Sequence, residues 1–142
     1  MPKICTVMSA AAEVVIRTRD HCEPHVHGIN KKWEIKVFFS YADNDPCHLA
    51  VKVLKGAPPI AHINDVIDEV DLRLAQCRKR WWEIHKSTCL ENQNVTVSPA
   101  GLLTWVVPPA GVKVSKAVYS HIHNSVTFVG LAGGAAQTAK CP

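Results

Sequence analysis

A regular spacing of apolar residues between Ile63 and Ile84 constrains the fold of this chain more than any other feature. The apolar positions follow one another in steps of four and three residues, at 63, 67, 70, 74, 77, 81 and 84. Such steps place the side chains on one face of an α-helix. The pattern predicts a single helix over about residues 64–86, roughly 33 Å long at 1.5 Å per residue. Asn64 or Asp65 is its expected N-cap.

Alternation of apolar and polar residues before this helix predicts strands. The segments concerned are residues 4–8, 13–18, 33–38 and 48–54. We therefore expect a mostly antiparallel sheet, with the apolar face of the helix covering one side of it. Beyond Cys89 the composition shifts to Val, Ala, Gly, Ser and Thr, with turn residues at short intervals. That composition predicts a C-terminal β-meander from strands near 94–97, 102–107, 112–119 and 126–131.

The expected architecture is an α+β protein. Residues 1–87 form its main domain, residues 88–132 form a β-rich extension packed on the same domain, and residues 133–142 form a frayed tail. A hydrophobic content of 47% with 20% charged residues is typical of globular proteins. The apolar runs are too short to span a membrane and no complete signal peptide is present, so we predict a cytoplasmic protein without membrane contact. Its six cysteines, with no Cys-x-x-Cys, are expected to be free thiols.

The residues that can carry chemistry crowd into one stretch, residues 20–27, which contains three of the eight histidines. In an extended backbone, His25 and His27 project to the same side. A turn at Pro24 would bring His21 back to them, because proline fixes its own φ and keeps the preceding residue out of the helical region. Imidazoles are common ligands of zinc and other divalent transition metals. His21, His25 and His27 are therefore the predicted metal ligands.

Three further residues are predicted to support this site: Asp20, Cys22 and His85. Asp20 can orient an imidazole from behind, Cys22 is either a ligand or a passive thiol, and His85 is a candidate acid or base. Two alternatives to a metal site stay open. A histidine beside Asp20 can serve as a general base without metal, or the imidazoles can simply hydrogen-bond the backbone.

The same residues carry a resemblance to a known family. The run Val14-Val15-Ile16-Arg17, followed by Asp20-His21-Cys22-Glu23-Pro24-His25-Val26-His27, resembles a family of small bacterial proteins classed as a domain of unknown function. Its motif has the form D-H-x-P-P-H-V-H. The likeness covers roughly residues 1–87 and extends to Trp81-Trp82-Glu83-Ile84-His85 at the end of the helix.

Within that family, a strand lies on each side of the motif and a long helix follows, so the resemblance implies the same order here. Glu23 stands where the family usually has its first proline. No activity is carried over. Some members look like parts of toxin–antitoxin-type gene pairs, and the resemblance therefore implies a partner protein.

Charge is separated along the predicted helix. Residues 61–71 contain four acidic and no basic residues, whereas residues 72–86 contain five basic residues and one acidic residue. The basic residues nearest the C-terminal end are Arg78, Lys79, Arg80 and Lys86. A basic helix end can contact the phosphates of a nucleic acid. It also complements the helix dipole in a solvated helix, and both interpretations stay open.

A second His-x-His pair, His121 and His123, lies on a predicted strand. Two such pairs facing each other would supply four imidazoles, although exposed histidines at a strand end are the commoner case.

Two classes of function follow from these features. The first is a small binding or regulatory module with a histidine-rich, metal-capable loop, belonging to a toxin–antitoxin-type pair. The second is a metal-assisted hydrolase of a phosphodiester or similar substrate, with His21, His25 and His27 as ligands and Asp20 behind them.

Overall fold

Two antiparallel sheets and two helices make up the computed structural model of this protein, which describes residues 2–142. The first sheet contains, in chain order, β1 (Lys3–Val7), β2 (Ala12–Val15), β3 (His25–Ile29), β4 (Glu34–Phe38) and β5 (Val51–Lys55). The helices α1 (Ile60–Leu72) and α2 (Leu74–His85) follow. The second sheet contains β6 (Asn94–Val97), β7 (Leu103–Trp105), β8 (Val112–Ser120), β9 (Ser125–Gly130) and β10 (Gly133–Lys140). The predicted α+β class is confirmed.

The first sheet is a meander whose strands pair in chain order. On β4, Ile35 and Val37 are fully buried, while the alternate side chains point to the other face of the sheet. The buried face packs on α1, since a Cβ at Gly28 would lie only 3.2 Å from a side-chain carbon of Val66. The predicted packing of the helical segment on the first sheet is therefore observed.

The predicted single helix is in fact two helices that meet at Arg73. Arg73 has φ −116° and ψ 25°, outside the α-helical region, and its N–H donates to the Val70 carbonyl three residues back. The helical segment also begins earlier than predicted, directly after Pro59. Proline suits this place because it has no N–H to satisfy. Asn64 and Asp65 consequently lie inside α1, and their predicted capping role was wrong.

Two strands occupy segments that were predicted to be irregular. β3 contains the histidine motif and lies in the centre of the first sheet, between β2 and β4. β10 replaces the predicted frayed tail and pairs with β9. Most of its side chains are exposed, so its backbone hydrogen bonds to β9 hold it in place. The second sheet is not a plain meander, because β6 lies between β7 and β8.

One hydrophobic core joins the two sheets. The backbone of Asp43 forms hydrogen bonds of 2.7 Å with both Leu103 and Trp105 of β7. The rings of Tyr41 and Tyr119 pack edge to face with centroids 5.0 Å apart. No helix in residues 2–142 is long and apolar enough to cross a membrane.

Candidate metal centre

Asp20, His25 and His27 are brought together on the first sheet. Each offers one ligand atom, and these atoms all lie within 4.8 Å of one another. The Nε2 atoms of His25 and His27 lie 3.3 Å and 3.0 Å from the same Asp20 oxygen, Oδ1. Both imidazoles are buried, and the Asp20 side chain is only 10% exposed. The three groups form a compact donor set of one oxygen and two nitrogens.

The strand β3 explains why the two imidazoles face the same way. Residues two apart on a strand point to the same face, and Val26 between them is fully buried on the opposite side. His27 lies opposite Lys36 of β4, and His25 lies opposite Phe38. The site therefore lies on the face of the sheet that α1 leaves uncovered.

The segment between β2 and β3 folds back to place Asp20 beside the imidazoles. Oδ2 of Asp20 accepts the N–H of Arg17 at 2.9 Å, and the Asp20 N–H donates to the Arg17 carbonyl at 3.2 Å. A disulfide between Cys22 and Cys89, with Cα atoms 5.6 Å apart, attaches the same segment to the chain beyond α2. Asp20 is thus held by a local turn and by a long-range covalent bond.

The hydrogen bond at Nδ1 of His25 decides which of its nitrogens is free. Nδ1 lies 2.8 Å from the Glu23 carbonyl oxygen, which can only accept, so Nδ1 carries the hydrogen. Burial lowers the pKa of His25, although the Glu23 carbonyl and Asp20 oppose this effect. The neutral ring then presents a lone pair at Nε2, a buried atom without a hydrogen-bond partner. That lone pair faces the Asp20 carboxylate, and a cation between the two would satisfy both.

His27 lies between two carboxylates. Its Nε2 is 3.0 Å from Oδ1 of Asp20, and its Nδ1 is 3.2 Å from Oε2 of Glu34. A neutral imidazole has a single N–H and can donate to only one of them. In the metal-free protein Nε2 can carry the hydrogen and donate to Asp20. If a metal ion occupies Nε2, the hydrogen lies on Nδ1 and is donated to Glu34. Metal-binding histidines commonly show this carboxylate–histidine–metal arrangement.

Both carboxylates of the site favour their ionised form. Burial raises the pKa of Asp20, but the hydrogen bonds from His27 and the Arg17 N–H outweigh it, and the net pKa lies below its ordinary value. Burial also raises the pKa of Glu34, where the guanidinium of Arg17, 2.9 Å from Oε1, more than compensates. The site therefore offers an ionised oxygen ligand beside two imidazole nitrogens.

The geometry of this donor set fits a transition-metal ion. With bonds of about 2.0–2.2 Å, neighbouring ligand atoms of a tetrahedral zinc site lie about 3.3 Å apart. The distances from Asp20 Oδ1 to the two Nε2 atoms, 3.3 Å for His25 and 3.0 Å for His27, are near this spacing, and the two imidazole nitrogens lie within 4.8 Å of each other. Nitrogen and carboxylate ligands suit zinc and related divalent metals. Three protein ligands leave one position of a four-coordinate ion open.

The structure changes the roles of several predicted residues. His21 is exposed and lies outside the ligand group, and Asp20 supplies the third ligand atom in its place. Glu34, and not Asp20, is the carboxylate at the Nδ1 side of His27, 3.2 Å away. Cys22 is bonded to Cys89. Its predicted role as a ligand or passive thiol, and the expectation that all cysteines are free, were therefore wrong.

His85 lies beside the site at the end of α2. Its ring packs on Trp81 with centroids 4.0 Å apart, and Trp81 lies 5.5 Å from the ring of His25. Burial lowers the pKa of His85, although Asp20 and a hydrogen bond to the Arg17 backbone oppose this effect. Its Nε2 is buried without a hydrogen-bond partner. Its auxiliary role in the site stays a prediction.

The four basic residues predicted as a nucleic-acid contact, three in α2 and Lys86 directly after it, do not share one surface. Arg78 is fully buried, and its Nε and Nη2 atoms both donate to the Ser40 carbonyl, at 3.0 Å and 2.9 Å. Because its charge is used inside the core, its prediction as a nucleic-acid contact was wrong. Lys79 and Lys86 are exposed and Arg80 is half-buried. Nucleic-acid contact by these three stays a prediction.

Sequence reasoning missed Glu34 and Arg17, which support His27 from the side away from Asp20. The sequence nevertheless contained a signal for Glu34. The connection between β3 and β4 is short, so the two strands pair as neighbours. Once the histidine segment is assigned to a strand, the alternation that predicted β4 places Glu34 on the same face as the histidines. Glu34 lies opposite Ile29 and diagonally across from His27.

No protein-family model, no curated protein and no solved structure matches this chain. The resemblance to the family with the D-H-x-P-P-H-V-H motif therefore stays a prediction, and any functional proposal depends on the geometry of the site.

Proposed function

We propose that this protein is a metal-binding module that holds one zinc or related divalent transition-metal ion between Asp20, His25 and His27. The main support is the Nε2 lone pair of His25, which is buried, lacks a hydrogen-bond partner and faces Asp20 Oδ1 at 3.3 Å. Two acceptors this close repel each other unless a proton or a metal ion lies between them. The lowered pKa of His25 disfavours the proton, so the metal ion is the better occupant.

Such an ion would connect the β2–β3 segment to the centre of the first sheet. The ligands come from both parts, with Asp20 on the segment and His25 and His27 on β3. Because the unfolded chain does not keep these groups together, ion binding favours the folded state. The proposal therefore combines metal binding with local ordering of the motif, as expected of a regulatory or binding module.

The test is a zinc titration by calorimetry after chelator treatment, with elemental analysis of the untreated protein. We expect about one equivalent to bind and to raise the melting temperature. Binding should weaken as the pH falls below roughly 6.5, since a protonated imidazole cannot ligate.

His25→Ala should abolish both zinc binding and the rise in melting temperature. His48→Ala is the matched control, because His48 accepts the Ser40 N–H outside the site. Equal binding by both variants would disprove the proposal.

A metal-assisted hydrolase is the second candidate, supported by the number of ligands. Catalytic zinc sites keep three protein ligands and an open position for water, and Asp20, His25 and His27 supply three. We expect zinc-loaded protein to cleave a chromogenic phosphodiester, and His25→Ala to lose this activity. No turnover by fully loaded protein would leave the binding module as the function.

The proposals on partner and compartment have less support. The partner protein of a toxin–antitoxin-type pair is supported by the motif resemblance alone.

For the compartment, the Cys22–Cys89 disulfide favours an oxidising environment. Cys5, Cys47 and two buried cysteines remain free thiols, as the predicted cytoplasmic location requires. Mass spectrometry of alkylated protein, without reductant, decides which cysteines are bonded in the cell.

A further inference from the structure

A row of basic side chains crosses the first sheet beside the candidate metal centre. Lys36 of β4 lies directly opposite His27 of β3, and Lys52 of β5 lies directly opposite Lys36. Directly opposite residues of antiparallel strands share a face, with Cβ atoms about 4.5–5.5 Å apart. Both lysines are therefore on the sheet face that carries the metal centre, and the nearer one is the neighbour of a ligand.

These two lysines are not neutralised within residues 2–142, where neither forms a salt bridge. Arg17 on this face pairs with Glu34 at 2.9 Å and Lys3 with Glu13 at 3.9 Å, whereas Lys55, opposite Glu34, also forms no salt bridge in the described part of the chain. Like charges directly opposite each other destabilise a sheet. The charge of Lys36 also extends to the site, since it is among the groups that lower the pKa of His25. The fold thus keeps an unbalanced positive charge next to the metal ligands.

The side chains of β4 and β5 on this face are more accessible than the histidines of β3. The β2–β3 segment covers the histidines of β3, whereas Lys36 is half-buried and Lys52 is exposed. Phe38, on the same face, is also half-buried, and its ring lies 5.6 Å from that of His25. A ligand that reaches the site across β4 and β5 would meet these three side chains.

We propose that Lys36 and Lys52 bind the phosphate group of a ligand that contacts the metal ion held by Asp20, His25 and His27. The contact with the ion rests on the proposed function, whereas the two lysines are present without it. One phosphate oxygen would take the open coordination position. The remaining negative charge would be balanced by the ammonium groups, which bind phosphate as point charges. The ligand class is a phosphate ester or phosphate ion.

The experiment measures binding of two probes, inorganic phosphate and a short single-stranded oligonucleotide, to metal-free and zinc-loaded protein. Phosphate is kept below the solubility limit of its zinc salt. Lys36→Gln and Lys52→Gln are compared with Lys113→Gln, which removes an exposed lysine from β8 of the other sheet. We expect at least about a tenfold loss of affinity in the first two variants, no change in the third, and weaker binding as salt rises.

The outcomes separate this inference from the metal proposal. Zinc binding with probe affinities that do not change in Lys36→Gln and Lys52→Gln would overturn the inference and leave the metal centre intact. Probe binding that depends on both lysines without any zinc binding would overturn the metal centre and retain the phosphate site. Binding of the oligonucleotide alone identifies a phosphodiester chain, and binding of phosphate alone identifies a small phosphate ligand. Melting temperatures of the metal-free variants at or above that of the wild type confirm that they fold, since each substitution removes one of two opposed like charges.

Discussion

The chain contains two His-x-His pairs with the same spacing in very different surroundings. His25 and His27 lie on β3, in the centre of the first sheet, and both are buried. His121 and His123 lie in the turn between β8 and β9 and are exposed. The first pair faces two carboxylates within 3.3 Å. The second pair belongs to no group of metal-ligating side chains within residues 2–142.

The difference shows that neighbours, more than spacing, decide whether a histidine pair joins a group of potential metal ligands. A central strand has partners on both sides, so β2 and β4 surround the first pair with ordered side chains. A turn has solvent on most sides and cannot fix the rings. Buried imidazoles need partners for both nitrogens, and at His25 one nitrogen has none. The position of that nitrogen, 3.3 Å from Asp20 Oδ1, distinguishes the first pair from an ordinary hydrogen-bonded histidine.

The largest expected effect separates the two pairs directly. The double variant His25→Ala/His27→Ala should lose at least about 100-fold in zinc affinity, because it removes two of three ligands and even supporting residues are worth about 10–100-fold. His121→Ala/His123→Ala should bind one equivalent with unchanged affinity. Calorimetry with both variants measures the contrast. Similar losses in both would show that the second pair completes the metal shell and that the comparison fails.

The second largest effect is expected from loss of the Cys22–Cys89 disulfide, which lies beside the first histidine pair. Cys22 and Cys89 are 67 residues apart in sequence, and a disulfide typically stabilises a folded chain by about 2–4 kcal/mol. Cys22→Ser/Cys89→Ser should lower the free energy of unfolding by this amount in urea melts. Zinc affinity should also fall, since Asp20 lies two residues from the bond. Cys47→Ser, which changes an exposed free thiol, should have little effect. Full zinc affinity in the double variant would show that the Arg17 turn alone positions Asp20.

The helical face and the alternating strands could be predicted because burial imposes a period on the sequence. Val70, Cys77 and Trp81 are buried as the spacing indicated. β10 could not be predicted in this way, because Gly133–Lys140 has mostly small, exposed side chains with no apolar alternation. The break at Arg73 leaves the apolar spacing unchanged and therefore produces no signal in it.

The site was predicted in part. His25 and His27 share a face because of their spacing on a strand, and that prediction is confirmed. Whether Asp20 or His21 joins them depends on the path of the β2–β3 segment. The bond from Cys22 to the distant Cys89 helps to determine that path, and neighbouring positions in sequence carry no trace of it.

A smaller effect on zinc affinity tests whether Glu34 orients the His27 ring. Glu34→Gln keeps the size of the side chain but removes the charge that accepts a hydrogen bond from His27 Nδ1. Zinc affinity should fall by about 10–100-fold, the range found for residues that orient metal ligands. Glu13→Gln is the matched control, since Glu13 lies on β2 and pairs only with Lys3 at 3.9 Å. If the two variants bind zinc equally well, Glu34 has no orienting role.

The smallest expected effect is the pH dependence of stability in the metal-free protein. The folded pKa of Asp20 and of Glu34 lies below the ordinary values of 3.8 and 4.5. The unfolded chain therefore binds more protons over this range, so the stabilisation is complete above about pH 4.5 and is lost as the pH falls through the folded pKa values. Burial lowers the pKa of His25 from 6.5, so the free energy of unfolding also begins to fall below about pH 6.5, as the unfolded chain binds a proton at His25 that the folded chain does not.

Denaturant melts from pH 7 to 3 should show a steeper loss of stability in the wild type than in Asp20→Asn, whereas His121→Ala/His123→Ala should follow the wild type. A wild-type curve that matches that of Asp20→Asn would mean that the carboxylate beside the buried imidazoles is not held ionised by the folded chain.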